Sequence, residues 1–262
     1  MSPIYTPGKL ILRQTYIGLD DPDAAAYITA VETADGQALE TAVRDAINAF
    51  VVGCKADGIW NAIKASCIMA GARTLAGALV PLVGPAPTNF NFVAGDYNRK
   101  TGLVGNGSTK YLDSNRNNNA DPQNSKHVAA YVVSIGSGGG RPFVATSPGT
   151  GRTFINDLVQ ATVNRSAFNG ATAVVAPCLT GASRNSSATF DLRRNDQTVS
   201  FTGVTSETPL NQNLFVYRRQ GATITEYSDA RLAFYSIGEA LDLALLDARV
   251  TTLINAFGAV IP

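Results

Sequence analysis

The chain has 262 residues, 45% of them apolar and 16% charged, with a formal net charge of +1. That is apolar enough to bury a core, and too balanced in charge for a nucleic-acid binder by bulk electrostatics. A single histidine, His127, and five glutamates (Glu32, Glu40, Glu207, Glu226, Glu239) argue against histidine-based nucleophilic catalysis and against a multi-histidine metal site.

The first forty residues read as an arm for docking on a neighbour. Tyr5 to Gly8 is turn chemistry, and Leu10–Leu12 with Tyr16–Ile17 has the composition of a short strand. Asp20-Asp-Pro-Asp23 is an acidic cap with proline near the first turn, so a helix over Ala24–Val31 is expected, interrupted by Gly36. Residues 41–88 read as a helical segment packed on a β-sandwich. Val43, Ile47, Phe50, Val51 and Cys54 form one helical stripe from about Thr41 to Cys54. Lys55-Ala-Asp-Gly58 breaks it, and Ile59, Trp60, Ile63, Cys67 and Ile68 predict a second helix reaching Gly71.

From 89 to 237 the period changes to two and turn residues punctuate the chain. The expected strands are Asn89–Val93, Gly102–Gly105, Lys110–Leu112, Val128–Ile135, Pro142–Thr146, Phe154–Asn156, Ala161–Arg165, Thr172–Ala176, Leu179–Arg184, Ser187–Arg193, Thr198–Thr202, Leu214–Arg219 and Ala230–Ile237. Many short strands with frequent turns predict a mainly β fold, a jelly-roll sandwich. Residues 238–262 close the chain as a helix, about Gly238–Phe257, striped by Leu246, Val250, Leu253, Ile254 and Phe257. That stripe needs cover, and the early stripe of Ile47, Phe50, Val51 and Trp60 is the expected partner; a symmetric bundle of several copies is the competing arrangement.

Positive charge is concentrated in the middle: residues 97–226 hold thirteen basic against seven acidic groups, and both flanks are net acidic. Cys54, Cys67 and Cys178 show neither a paired framework nor CxxC spacing, which predicts reduced, packed thiols. Met-Ser-Pro-Ile-Tyr5 lacks the pattern of a secretory leader, so folding in the cytoplasm is expected. The apolar stretch Ile59–Gly84 carries Lys64, Arg73 and Pro81 and is a poor membrane span, so no membrane insertion is expected.

Apparent motifs fail on chemistry. Gly102-Leu-Val-Gly-Asn-Gly107-Ser-Thr109 has phosphate-loop glycines, but Ser108 stands where the lysine is needed. Asp113-Ser-Asn115-Arg-Asn117-Asn118-Asn119-Ala-Asp121 begins like a calcium loop, yet Asn118 and Asn124 replace the required glycine and glutamate. It reads as an Asn-rich turn, with a weak single-ion site as the alternative. Gly136-Ser-Gly138-Gly139-Gly140 reads as a loop tip. Asn106-Gly-Ser108, Asn164-Arg-Ser166 and Asn185-Ser-Ser187 match a glycosylation pattern that has no use without secretion. No two carboxylates in the β region have the spacing of a glycosidase pair, and His127 at a strand start reads as structural. No catalytic residue, cofactor or metal is therefore expected. The groups best suited to a sugar or a partner are the loop Asn115, Arg116, Asn117 with Asn118 and Asn119, then Arg184-Asn185 and Arg218-Arg219, since planar hydrogen-bonding groups match sugar hydroxyls.

Gly105-Asn-Gly-Ser-Thr-Lys-Tyr-Leu112 resembles the opening strand of concanavalin A-like (laminin G-like) sandwiches, and Arg231-Leu-Ala-Phe-Tyr-Ser-Ile-Gly238 is similar to their closing strand. Ala46-Ile-Asn-Ala-Phe-Val-Val-Gly-Cys-Lys-Ala-Asp-Gly-Ile-Trp60 and Asn91-Phe-Val-Ala-Gly-Asp-Tyr-Asn-Arg-Lys-Thr-Gly-Leu103 resemble a group of bacteriophage and prophage structural proteins. The resemblance covers about residues 40–262. It implies a non-enzymatic virion part: a tail fibre or appendage, or a capsid decoration. It also implies other virion proteins as partners, a homo-oligomer (a trimer) and a host-surface glycan as ligand. A free carbohydrate-binding module and a polysaccharide hydrolase are the alternatives. The paired acids of related glucanases and the acidic metal loops of legume lectins are missing from the sequence.

Overall fold

Asp21 accepts a hydrogen bond from the Asp23 amide and Pro22 occupies the first turn, so helix α1 (Pro22–Asp35) starts where the acidic cap requires and stops at Gly36, φ 65°. The computed structural model describes residues 21–261 apart from 138, 167–169, 171 and 222–224. The turn and strand expected over residues 5–17 lie outside the described residues, as does residue 138 of the glycine loop. After α1 come α2 (Thr41–Ala56), β1 (Ile63–Ile68), α3 (Leu75–Ala78), β2 (Thr88–Phe90), β3 (Tyr97–Asn98), β4 (Gly102–Val104) and β5 (Tyr111–Asn117). The middle of the chain forms β6 (Lys126–Ser134), β7 (Pro142–Ala145), β8 (Phe154–Asn156), β9 (Ala161–Thr162), β10 (Cys178–Arg184), β11 (Phe190–Arg194) and β12 (Gln197–Phe201). It ends with β13 (Asn213–Val216), β14 (Arg218–Gln220), β15 (Thr225–Tyr227), β16 (Arg231–Gly238) and α4 (Leu243–Val260).

The strands form an antiparallel β-sandwich, the mainly β class expected. The first sheet runs β12-β11-β10-β6-β16-β4-β3, and the second β2-β5-β13-β7-β8-β9. β14 and β15 make a separate hairpin. β16 is the axis of the first sheet: β6 pairs along one side, while β4 and β1 share the other. Between the sheets lie Val128, Ala130, Val132, Tyr235 and Ile237 against Leu112, Val144, Leu214 and Val216.

A second apolar layer covers the other face of the first sheet. Ala129, Tyr131, Leu179, Ala233 and Phe234 meet Ile28, Val31, Ile47, Phe50, Val51, Leu246, Val250, Leu253 and Phe257. The register slips between Leu232 and Phe234, and this bulge turns both Ala233 and Phe234 toward the helices. Phe50 and Phe234 then meet edge to face at 5.9 Å. Gly71, at φ 85°, lies so close to the Phe257 ring that a Cβ there would come within 2.7 Å. Arg99 ties the layer to the sandwich through both Glu40 oxygens (3.1 and 2.8 Å) and the Ala72 carbonyl (3.0 Å), and its hydrogen bonds, helped by its charge, hold the Glu40 carboxyl down at about 2. The terminal stripe is thus covered within one chain. α4 is also the one described helix long and apolar enough to cross a membrane; here its stripe lies in the core.

Three expectations need correction. The second helix predicted through Ile59–Gly71 is strand β1, antiparallel to β16, and Cys67 lies in it. Five of its six residues are buried, so its apolar residues sit on both faces and its pattern cannot reveal a period of two. The arm expected over 1–40 is divided: residues 1–20 lie outside the described residues, whereas Ala24, Tyr27, Ile28 and Val31 of α1 are in the core. Residues 172–176 form no strand. All three cysteines are free and buried, and burial pushes the Cys54 and Cys67 thiols up to about 12.

Candidate functional site

The outer face of the second sheet is built by alternation. Along β5, Leu112 and Ser114 are buried while Tyr111 and Asp113 are partly open. Phe90 stands opposite Tyr111, and Phe215 opposite Asp113 on one side and Ala145 on the other. Beyond Ala145 comes Phe154. Tyr217 has φ 69°, unusual for a bulky residue, and separates β13 from β14. Its hydroxyl donates to the Leu103 carbonyl at 2.5 Å and its ring packs on Phe92 at 5.1 Å, interactions that hold this conformation. The adjoining β14–β15 hairpin pairs Arg218 with Tyr227 and Arg219 with Glu226.

That hairpin lays two guanidinium groups over the aromatic row. Arg218 lies 4.2 Å from the Tyr111 ring centroid, 5.4 Å from Phe215 and 5.6 Å from Tyr227. The far side of Tyr111 stacks on Phe90 at 4.3 Å and 3°. Arg219 lies 4.7 Å from the Phe154 ring and pairs with Glu226 at 2.5 Å, and Arg152 approaches the same ring at 5.7 Å.

Of the residues expected to bind a sugar or partner, Arg218 and Arg219 are here. Asn115, Arg116 and Asn117 share the sheet, on strand β5 rather than a loop, and each is engaged. Asn115 donates to the Ala86 carbonyl (2.8 Å) and Thr88 hydroxyl (3.0 Å), Arg116 pairs with Asp121, and Asn117 donates to Asn211 at 2.8 Å. Asn185 is exposed elsewhere, beside a cavity of about 590 Å³ lined also by Asp191 and Asp242. Both of those carboxylates are committed, Asp242 to capping α4 and Asp191 to the Ser200 hydroxyl at 2.5 Å.

Arg184 must be corrected outright: it is fully buried. Its Nε donates to the Val163 carbonyl at 2.9 Å, and its Nη1 to Val204 (3.0 Å), Ser186 (3.2 Å) and Thr189 (3.3 Å). Burial, reinforced by Arg165, lowers its pKa to about 10. It gathers loop carbonyls and is closed to any ligand. Arg194 does likewise with the carbonyls of Asn156 (2.7 Å), Thr172 (2.5 Å) and Leu158. Position beside an asparagine turn suggested a surface group; the carbonyls that claim it come from distant segments.

The remaining polar groups are structural. Lys126 is fully buried and pairs with Asp121 at 2.9 Å; burial lowers the lysine's pKa, while Lys126 and Arg116 hold Asp121 low despite its own burial. His127 lies inside the protein, its Nδ1 donating to the Glu239 carbonyl at 2.5 Å and its Nε2 accepting from the Ser236 hydroxyl at 2.7 Å. That fixes the neutral tautomer, and burial lowers its pKa to about 4. Among the described residues, no group of three or more His, Cys, Asp or Glu is placed to hold a metal ion. The Asp113 oxygens of the calcium-like run accept from Asn213 at 3.0 and 3.2 Å.

Fold and face together define an antiparallel β-sandwich with one helix-covered sheet and one sheet presenting arginines and aromatic rings. No protein-family model matches the sequence, and no curated protein does. Among solved structures the chain is similar to the enzymatically active domain of tailspike protein 2 of bacteriophage CBA120, with 14% identity and a TM-score of 0.41, covering 65% of this chain and 29% of that one. It is also similar to a mutant Trypanosoma rangeli sialidase displaying trans-sialidase activity, with 9% identity and a TM-score of 0.44, covering 80% of this chain and 39% of that one. The chain therefore spans well under half the length of either, and at these scores neither likeness bears on its function.

Proposed function

We propose that this chain is a non-enzymatic structural protein of a bacteriophage virion. In this reading it is a component of a tail fibre or appendage, made in the host cytoplasm. Its concanavalin A-like sandwich serves assembly with other virion proteins, as a homotrimer, and adhesion to host-surface glycan. The segments Ala46–Trp60 and Asn91–Leu103 support the virion part of the reading. The observation that carries the adhesion part is the outer face of the second sheet, where Phe90 is 37% exposed and stacks on Tyr111, whose other side carries Arg218. Rings and planar donors side by side are what a sugar needs for stacking and hydroxyl recognition.

A hydrolase reading has one observation in its favour, the cavity that places Asp191 and Asp242 together. The engagement of both carboxylates favours the non-enzymatic reading. Immuno-electron microscopy of purified particles, using antibody against this chain, tests the main proposal. Label at the tail periphery is expected, and particles lacking the chain sink it. Turnover of host polysaccharide that is abolished by Asp191→Asn would move the assignment to the hydrolase.

A further inference from the structure

Phe154 has an arginine on each of two approaches, Arg152 and Arg219, and its ring is fully buried between them and the sheet. Nε of Arg152, of Arg218 and of Arg219 is buried without a hydrogen-bond partner, and so is Oε2 of Glu226. Arg152 is 9% exposed. Among the described residues neither Arg152 nor Arg218 forms an ion pair, and Glu226 pairs with Arg219 alone. Glu207 acts on Arg152 only from a distance, because its carboxylate is held by the Gly151 amide at 2.7 Å and the Ser166 hydroxyl at 2.5 Å. Arg141 adds a further cation, donating to the Tyr227 carbonyl at 3.1 Å. Asp113 also lies on this face, opposite Phe215, where its oxygens accept from Asn213, so Arg141, Arg152, Arg218 and Arg219 stand against the carboxylates of Asp113, Glu207 and Glu226. A desolvated guanidinium with an unmet N–H is costly unless an anion completes it.

The row of rings under the arginines ends in one that is open, Phe90. Phe90 uses one face on Tyr111, and Arg218 covers the other side of Tyr111. The stack leads from the sheet edge at β2 toward β8 across β5, β13 and β7, roughly 19 Å at the usual strand spacing. A neutral sugar would leave the N–H groups unmet, and a lone inorganic anion would leave Phe90 bare. We infer that this face binds an acidic oligosaccharide, a carboxylate of which is taken by Arg152, Arg218 and Arg219 while a sugar ring stacks on Phe90. Guanidinium groups suit this role because their planar fork matches a carboxylate. The inference rests on the glycan-adhesion reading and names the class of glycan.

The test is calorimetric titration of the full chain with tetrasaccharides containing galacturonate or glucuronate, with their carboxyl-reduced forms, and with inorganic phosphate. An acidic form should bind about tenfold or more tighter than its reduced counterpart and weaken as salt rises. Arg218→Gln, at a partly open position, should remove that preference without changing the thermal midpoint, and Arg152→Met, which keeps the bulk over Phe154, should do the same. Equal binding of acidic and reduced forms, no binding of any acidic form, or binding of phosphate alone overturns the inference. Binding of neutral glycans that ignores both substitutions would sink the acidic assignment and leave adhesion standing. Absence of the chain from particles would sink the virion reading and leave the titration valid.

Discussion

In the first sheet every residue of β10 is buried, and β6 is buried from Lys126 through Val132; in the second, β5 alternates buried with half-open positions. The centre of the first sheet is a middle layer between helices and sandwich core, so the side chains of β6 and β10 answer to packing on both faces. In the second sheet β7, β8 and β9 are likewise buried throughout, and it is β2 and β5 that answer to packing on one face only. Arginines show the contrast most clearly. Arg184, beside the inter-sheet core, spends its Nε and Nη1 on carbonyls of distant loops and keeps only Nη2 unmet, whereas Arg218 on the outer face has ring contacts and an unmet Nε. A sandwich wrapped on one side leaves part of the other sheet open for recognition, and three of this chain's unmet guanidinium Nε groups, those of Arg152, Arg218 and Arg219, lie there.

The largest expected effect breaks the wrapped side. Leu253→Asp puts a charge where α4 meets α2, at 2% exposure, and should cost at least about 5 kcal/mol, adding a buried charge to the lost transfer energy. Circular dichroism should show an unfolded chain; a folded monomer appearing in place of an oligomer would mean instead that α4 packs between copies. Next is the arginine contrast itself. Arg184→Met leaves buried carbonyls without a donor and should cost about 3 kcal/mol in urea unfolding, against less than about 1 kcal/mol for Arg218→Met. Equal losses would erase the distinction between the two faces.

Acid should also act through the wrapped sheet. Folded His127 stays neutral down to about pH 4, while the unfolded chain takes up its proton near 6.5. Stability is thus full above pH 6.5 and falls as the pH drops toward 4, by on the order of 3 kcal/mol. Stability measured across that window should flatten in His127→Gln; an unchanged slope would assign the effect to other groups. The smallest structural effect belongs to the open face. Phe90→Ser on edge strand β2 should shift unfolding by less than about 1 kcal/mol, yet weaken oligosaccharide binding about tenfold. A large stability loss would show that Phe90 serves packing and not recognition.

Much of this architecture is legible locally. Val43, Ile47, Phe50 and Val51 announce α2, Leu246, Val250, Leu253 and Phe257 announce α4, and strands such as Phe154–Asn156 stand between turn signals. Hairpin chemistry around Arg194-Asn-Asp-Gln197 is equally local. The demand that both helical stripes be covered stems from their apolarity alone, and it is met within one chain. The candidate face was half legible: Arg218-Arg219 stood out, but Arg152, Phe90, Tyr111 and Tyr227 are far apart in the chain and gather only when β13 breaks at Tyr217.

Tertiary structure decided the rest, for one physical reason. A periodic pattern reports burial only when one face is wet and the other dry. β1 is dry on both, so Ile63–Ile68 carries no alternation and reads as helix until β16 claims its backbone. Arg184 has the opposite ambiguity. A guanidinium beside Asn185 belongs equally to water or to a ring of carbonyls, and Val163, Ser186, Thr189 and Val204 supply that ring only after the sheet has brought their loops together. Local sequence sets what a side chain can bond to; the long-range fold sets which partners are within reach, and hence which arginines remain for a ligand.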